Sequence, residues 1–475
     1  MTISNSVPAA TRQPGTFFEF NIANAARGLV ALVQRIVCVG AQAAAGARAA
    51  VTVGQIFADS DADTDHGQGS EVALMAKFAL NGARDIGIPV QVWTIGIADV
   101  AGTAATFTFT AVGTATEAKE VVLGIAGRVV RVPVALGDIQ NNIAIAIGDA
   151  ISEQLPNLPV TVGVAANVAT ITAVQTGTNG NDIFAEVTDT SVGGVVVTAA
   201  AGVAGAGTVD ITAALDVLED KDYDFVPIAN HQPADVSDLN DHLNSAFNAA
   251  TKRWRFGMMA ERGTLATAQV LSAAADDYRQ IVVSGEGFRN TPGEIAAYLA
   301  GIMGGAPDPA LPWNNVELPG LALPDAADIP NDPEIEAGIG GGLFMLSVNE
   351  NQSRAKIVRA VTTQTTLNSA PFFALLDVTI PRTMFFAARQ VDAQQQIQFA
   401  RAKKNARTLR RVRSVTLGVL KDLEALELLQ NVSERAGELI VETDPTNPDR
   451  INTAIPTSVV PPLNQIVNVM NLIVE

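Results

Sequence analysis

Two runs of alternating strand and helix signals, separated by a stretch of different pattern, constrain this chain more than any other feature. In residues 26–100, "LVALVQRIVCVG" is apolar and β-rich toward Gly40. "GSEVALMAKFALNGARDIG" has the pattern of a helix, with Ser70 placed to cap its start and Gly82 or Gly87 near its end, and "IPVQVWTIGI" reads as a strand. Strand, helix, strand in that order predicts a parallel βαβ unit. The pattern resumes after residue 205: "ITAALDVLEDKDYDFVPIAN" is helix then strand, "SDLNDHLNSAFNAATKR" helix, "FGMMAER" strand, "TLATAQVLSAAADD" helix, "RQIVVSG" strand, and "TPGEIAAYLAGIMGG" a helix with Pro292 in its first turn. Such alternation predicts an open sheet covered on both faces.

The interruption, residues 101–205, is rich in Thr and Val with period-two alternation, as in "TFTFTAVGTATEAKEVVLGIAGRVVRVPVALG". It holds one helix, "DIQNNIAIAIGDAISEQL", with Asp138 as the expected cap, and a hairpin turning at Ala165–Asn167, and it ends in a Gly/Ala linker. Residues 307–333 contain seven prolines and predict an extended exposed loop. Beyond it, "GGGLFMLSVNENQSRAKIVRAVTT" reads as a hairpin around Asn349–Ser353, residues 372–430 as largely helical, and 433–455 as a strand with a Pro/Asp/Asn turn. The fold class that emerges is an α/β core (26–100 and 206–345) with an inserted β-rich domain (101–205) and an α+β C-terminal domain (346–455), flanked by extended N- and C-terminal arms (1–25 and 456–475).

Composition narrows the function. The formal net charge of −18 argues against direct nucleic-acid binding and makes like copies repel, so any assembly needs specific contacts. No apolar run reaches the length of a membrane span, and "MTISNSVPAATRQPG" lacks the features of a signal peptide, so a soluble protein outside the general export pathway is expected. The single cysteine, Cys38, lies in an apolar run and reads as a buried small hydrophobe. Nucleotide-binding, zinc-protease and serine-hydrolase motifs are absent. His66, His231 and His242 lie far apart, without the spacing of a helical metal site. In "DSDADTDHGQGSE", Asp61, Asp63 and Asp65 have the spacing of calcium ligands. However, His66 stands where that loop needs glycine and Glu71 falls one residue short, so a solvated acidic loop is the expectation. Neither cofactor nor metal is implied.

Two segments point to protein–protein contact. "RAKKNARTLRRVR" places Arg401, Lys403, Lys404, Arg407, Arg410, Arg411 and Arg413 in thirteen residues with no acid, in a chain that is otherwise strongly acidic. An acidic protein surface is the expected partner of this basic helix. The second is "LNQIVNVMNLIVE": Ile466, Val467, Val469, Leu472 and Val474 are apolar, and its β-branched residues favour a strand covered on both faces, though its Asn spacing also fits a helix. The cover is either its own domain or a neighbour. The N-terminal patch "PGTFFEFNI", with Phe17, Phe18 and Phe20, is likewise too short to form its own core.

A resemblance connects these features. "ALPWNNVELPGLALP" followed by "GIGGGLFMLSVNENQSRAKIVRAVTT" resembles the tail sheath proteins of Mu-like contractile phages, whose Pro-rich "LPLPG" loop precedes a hairpin ending in "RAVTT", here Arg359–Thr363. "QPGTFFEF", "HGQGSEVALMAKFAL", "TGTNGNDI" and "DYDFVPIANHQPADVSDLNDHL" are similar to other family stretches, in the same order. Residues 364–390 depart from the pattern, with Phe but no Tyr. The resemblance implies a non-enzymatic virion subunit, made in the host cytoplasm and polymerised as a helical array of stacked hexameric rings around a tail tube protein. Baseplate and tail terminator proteins would bound the array, which contracts to drive the tube through the host envelope. It also implies that both arms add strands to neighbouring copies, on flexible Pro-containing tethers (Pro456, Pro461, Pro462). Alternatives are the sheath of a phage-derived injection particle, or another self-assembling virion protein such as a capsid or tube subunit.

Overall fold

The computed structural model describes residues 34–472, which fall into two compact units: 34–385 with 459–472, and 386–458. The larger unit opens with strand β1 (Arg35–Ala41) and a short strand β2 (Val53–Ile56), followed by helices α1 (Asp59–His66) and α2 (Glu71–Ile86) and strand β3 (Gln91–Ile97). From Ile36 onward β1 is apolar because both its faces are buried. Ile36 and Cys38 enter one hydrophobic cluster, and Val37, Val39 and Ala41 the other. Ser70 caps α2, accepting from Ala73 N at 3.4 Å, and Gly87 ends it at φ +78°, a left-handed conformation suited to glycine.

The insertion comprises β4 (Thr106–Gly113), β5 (Lys119–Ile125), β6 (Arg128–Val134), α3 (Gln140–Ser152), β7 (Val160–Ala165), β8 (Val168–Ala173), β9 (Ala185–Asp189) and β10 (Val195–Ala201). Its strands form two sheets, β10-β4-β8-β7 and β6-β5-β9, around a core that includes Phe109, Leu123, Val132 and Ile171, with Ile143, Ile147 and Ile151 of α3. Asp138 does not cap α3. Its carboxylate instead accepts from Ala135 N at 2.7 Å, closing the turn before the helix, and Ile139 holds the cap position. The two linkers lie side by side, with Thr103 N donating to Ala206 O at 2.9 Å.

The chain then returns through α4 (Thr212–Leu218), β11 (Phe225–Pro227), α5 (Pro233–Ala246), β12 (Phe256–Glu261), α6 (Leu265–Ala275), β13 (Gln280–Ser284), α7 (Pro292–Gly305), β14 (Glu317–Leu318), α8 (Asp332–Gly340), β15 (Phe344–Val348) and β16 (Ala355–Arg359). The nine-stranded sheet has the order β14-β16-β15-β13-β12-β11-β1-β3-β2, with a parallel centre from β3 to β15 and antiparallel strands at both edges. Residues of α2 and α7 contribute to one cluster, and residues of α4, α5, α6 and α8 to the other. Every residue of α7 is buried, which explains a sequence apolar on all sides. It packs on α2 through small residues: a Cβ on Gly301 would strike the Ala79 carbonyl, and one on Gly82 the Tyr298 carbonyl.

The hairpin β15–β16 belongs to this sheet, so residues 346–385 lie in the larger unit. The sequence-based boundary at 345/346 therefore moves to 385/386, because Phe344, Leu346 and Ile357 enter the main core. The proline-rich stretch 307–333 is not wholly exposed either: Trp313, Leu318 and Leu321 are buried in the same core. After the small hairpin of β17 (Thr366–Leu367) and β18 (Ala370–Pro371) comes helix α9 (Thr379–Phe399). The smaller unit holds α10 (Ala406–Ala425) and the hairpin of β19 (Ile440–Thr443) and β20 (Ile451–Ala454).

Candidate assembly surfaces

Open α/β sheets bind ligands beyond the carboxyl ends of their strands, where the strand order reverses. Here that point lies between β1 and β11, and the insertion fills it. Glu71, at the start of α2, accepts from Ala41 N at 2.9 Å and from Asn179 Nδ2 at 3.0 Å. Asn179 also donates to Asn230 Oδ1 (3.2 Å), and Asn230 donates to Asp235 Oδ1 (3.0 Å). His231 Nε2 lies 3.4 Å from Asp182 Oδ2 and 4.0 Å from Glu261 Oε2. Burial pushes the carboxyls of Glu71, Asp182 and Asp235 above their ordinary range, against the pull of these partners. The space left among Glu71, Gln175, Asn179 and Thr291 is about 30 Å³, room for water and not for a substrate. Further contacts weld the insertion to the core: Arg128 pairs with Glu294 at 2.7 Å, Lys77 donates to Pro156 O at 2.6 Å, and Arg289 pairs with Glu186.

His66, His242 and Cys38 are all enclosed. His66 is fully buried between Gln42 (3.0 Å) and Thr94 (2.7 Å), and burial lowers its pKa to about 4. His242, also buried, contacts Arg255 at 3.1 Å, and burial lowers it to about 3. Cys38 is fully buried. The expected acidic loop is the helix α1. Asp65 pairs with Arg48, Asp63 with Lys77 and Asp59 with Arg84, while Asp61 accepts from Ala58 N, so the carboxylates are spent on cations and a helix start. Among the described residues no group of three or more His, Cys, Asp or Glu is placed to hold a metal. No described helix is long and apolar enough to cross a membrane.

The family motifs act as internal fasteners. Arg359 of "RAVTT" donates both Nε and Nη2 to Asp377, at 3.0 and 2.9 Å. Thr362 N donates to Leu376 O (2.7 Å) and its hydroxyl to Leu375 O (2.9 Å), and Thr363 N donates to Gln280 O (3.0 Å). Both threonines are buried, and together they bind the segment before α9 to the sheet. Arg382 of α9 donates to the carbonyls of Met303, Ala306 and Asp308, and its guanidinium lies 5.2 Å from the Trp313 ring centroid. Within 364–390, Leu375, Leu376, Asp377 and Arg382 supply one side of each of these contacts except that of Thr363.

Among its described residues, 463–472, the C-terminal segment forms no regular strand. Its apolar side chains face solvent: Ile466 is 70% exposed, Val467 85%, Val469 82% and Leu472 89%. Val474, Phe17, Phe18 and Phe20 lie outside the described residues. The basic segment is not one helix, because α9 ends at Phe399 and α10 begins at Ala406. Arg401, Lys403 and Lys404 sit in the connection, and Arg407, Arg410, Arg411 and Arg413 on α10. Some are committed locally. Arg413 donates to Leu439 O and Ala436 O, Lys404 to Pro448 O, and the Arg411 guanidinium lies 5.6 Å from the Phe399 ring centroid. Arg401, Lys403, Arg407 and Arg410 are exposed and form no ion pair among the described residues. The opposite side of α10 buries Thr408, Val412, Thr416, Val419, Leu420 and Leu423 at helical spacing.

Sequence reasoning did not single out the hairpin β19–β20 as a surface. It is a two-stranded sheet whose outer edges pair with no other described strand, and Ile440 is 53% exposed on it. Asp444 holds its turn by accepting from Thr446, Asn447, Arg450 and Asn452, and the Thr446 hydroxyl and these other donors keep its carboxyl far below the ordinary range. A two-stranded ribbon is marginal in water on its own and offers two rows of unpaired backbone groups.

The crevice is filled and the motif contacts are internal, while an apolar segment and the edges of a two-stranded ribbon are left exposed. The fold is that of solved tail sheath proteins. One from Listeria innocua is 15% identical, with 92% of this chain and 94% of that chain covered at a TM-score of 0.54. One from Desulfitobacterium hafniense is 12% identical, with 94% and 100% covered at 0.52. A chain in the anti-feeding prophage baseplate is 11% identical, with 97% and 99% covered at 0.52. No protein-family model matches the chain. In sequence the chain is homologous to the Mu-like prophage FluMu tail sheath protein of Haemophilus influenzae, 25% identical over 483 residues, covering 95% of this chain and 96% of that protein. This is the family that the ordered motifs resemble.

Proposed function

We propose that the chain is the structural subunit of a contractile tail sheath, stacking as hexameric rings around a tail tube and contracting to drive it through a host envelope. The observation that carries this reading is the end-to-end homology to a tail sheath protein. The exposed apolar arm supports it, since it leaves each copy incomplete alone. In this scheme the arm of one copy, with Ile466, Val467, Val469, Leu472 and Val474, adds a strand to the β19–β20 ribbon of the next, a form of β-augmentation. Phe17, Phe18 and Phe20 of the N-terminal arm act in the same way. The exposed arginines of 401–410 face an acidic surface, the tube or a neighbouring copy. Residues 386–458 carry more Lys and Arg than Asp and Glu, so the acidic excess lies elsewhere in the chain and complements them. The insertion faces outward, the array ends on baseplate and terminator proteins, and assembly in the host cytoplasm yields a virion component. The similarity to an anti-feeding prophage chain makes a phage-derived injection particle a second setting for the same device.

Negative-stain microscopy of the expressed protein, with and without a tube, tests this reading. Striated cylinders with a wide lumen are expected. Icosahedral shells or narrow tubes would refute it.

A further inference from the structure

Residues 459–472 pack with the larger unit, yet nearly every side chain beyond Leu463 is exposed. Asn464 is the exception. Its Oδ1 accepts from Asn314 Nδ2 at 2.9 Å, and its Nδ2 reaches both oxygens of Asp377, at 3.4 and 3.5 Å. Neither partner is free to wander. Asp377 is held by the two-pronged Arg359 contact and bridges to Val361. Asn314 follows buried Trp313, over which Arg382 lies. Residues from "PWNN" and the segment before α9 thus meet at one side chain of the tail, with Arg359 of "RAVTT" holding Asp377 from behind. Upstream, Pro461 and Pro462 fix two backbone φ angles, which limits the conformations open to the approach to Asn464. Downstream, residues 465–472 are exposed and make no hydrogen bond or ion pair among the described residues.

We propose that Asn464, seated between Asn314 and Asp377, is the clasp that fixes where the C-terminal arm leaves its own subunit and so sets the arm's free length. This deepens the arm reading above and rests on it. With the root at Asn464, the residues from 465 onward form the tether. Fully extended, 465–472 reach roughly 26 Å, at about 3.3 Å per residue. In a sheath that keeps its arm contacts while its subunits move, the root at Asn464 sets how far each arm residue can reach. Arg359, the arginine of "RAVTT", is then a positioning residue: it orients Asp377, which in turn holds the tail.

Two experiments test the clasp. In the full-length monomer, Asn464→Ala should raise amide exchange at Val459, Val460, Leu463 and residue 464 by about tenfold, the loss of roughly one net hydrogen bond, with the melting temperature little changed. Unchanged exchange would overturn the proposal. In assembly, a Gly-Ser insertion after Gln465 should alter the helical rise or lower sheath yield, whereas the same insertion between Pro462 and Leu463 should be silent. Equal effects of the two insertions would also overturn it. Failure of the arm reading is separately visible, because normal sheaths from a chain ending at Asn464 would refute the arm while leaving the monomer exchange result intact.

Discussion

A subunit ending at Asn464 is expected to fold with an unchanged circular dichroism spectrum and melting temperature, and to form no sheath. The arm contributes no described strand, ladder or buried side chain beyond Asn464 to its own unit, so its removal costs the monomer little. In the assembly the balance differs. Ordering a residue costs about 1–2 kcal/mol. Burying a large apolar side chain returns about 1.5–3 kcal/mol, and each ladder hydrogen bond about 0.5–1.5. For a segment as apolar as 465–472 the terms nearly cancel, with a surplus only when both faces and the ladder are satisfied together. On the proposed scheme the arm docks only where a neighbour offers a complete seat, and that docking works against the like-charge repulsion between copies. Electron microscopy and sedimentation of the truncated protein measure the outcome, and sheaths of normal appearance would count decisively against the scheme.

Gly301→Val is expected to abolish soluble expression. The α2–α7 pair spans one face of the sheet at backbone distance. Gly301 faces the carbonyl of Ala79 and Gly82 that of Tyr298, with Ala83 alongside. A branched side chain at Gly301 meets main chain and not a flexible side chain, so the helices must separate along their whole contact. That separation opens gaps around Ala76, Leu299 and Ile302, all fully buried. Overpacking alone costs about 1–3 kcal/mol, and the added cavities bring the loss to more than about 4 kcal/mol. Domains are commonly stable by only about 5–15 kcal/mol. Soluble yield, and the urea midpoint of any soluble fraction, check this; a midpoint near that of the unaltered protein would show that the pair is looser than described. An outward glycine such as Gly418, with open space around its Cβ position, should accept alanine without loss.

Much of the central sheet was legible because its signals are local. β1 is apolar on both faces, α2 carries a serine cap and a glycine stop, and α7 is apolar all round with Pro292 in its first turn. What escaped depends on distant partners. The run from Asp59 to Asp65 looks like a solvated loop until Arg48, Lys77 and Arg84 are brought to it from elsewhere in the chain. Asp138 looks like a helix cap, yet Ala135 N takes its carboxylate. The hairpin ending in "RAVTT" has no local mark of membership in the larger sheet, which is decided by β13 pairing with β15. The apolar tail announced a missing cover but not its root, since Asn464 is ordinary in sequence and distinctive only beside Asn314 and Asp377. The filling of the crevice by Asn179 is likewise invisible in sequence, although "TGTNGNDI" is a family-like stretch.

The most direct test is a covalent trap between copies. Cys38 is fully buried and leaves the surface free of thiols among the described residues, so Val467→Cys can be combined with Glu442→Cys on the ribbon. Oxidation of assembled particles should give a ladder of disulfide-linked oligomers on a denaturing gel, with no ladder from either single variant or from unassembled protein. Particles that assemble normally but yield only monomer, or a double variant that closes its disulfide within one chain, would contradict the claim that each copy's tail completes the ribbon of the next.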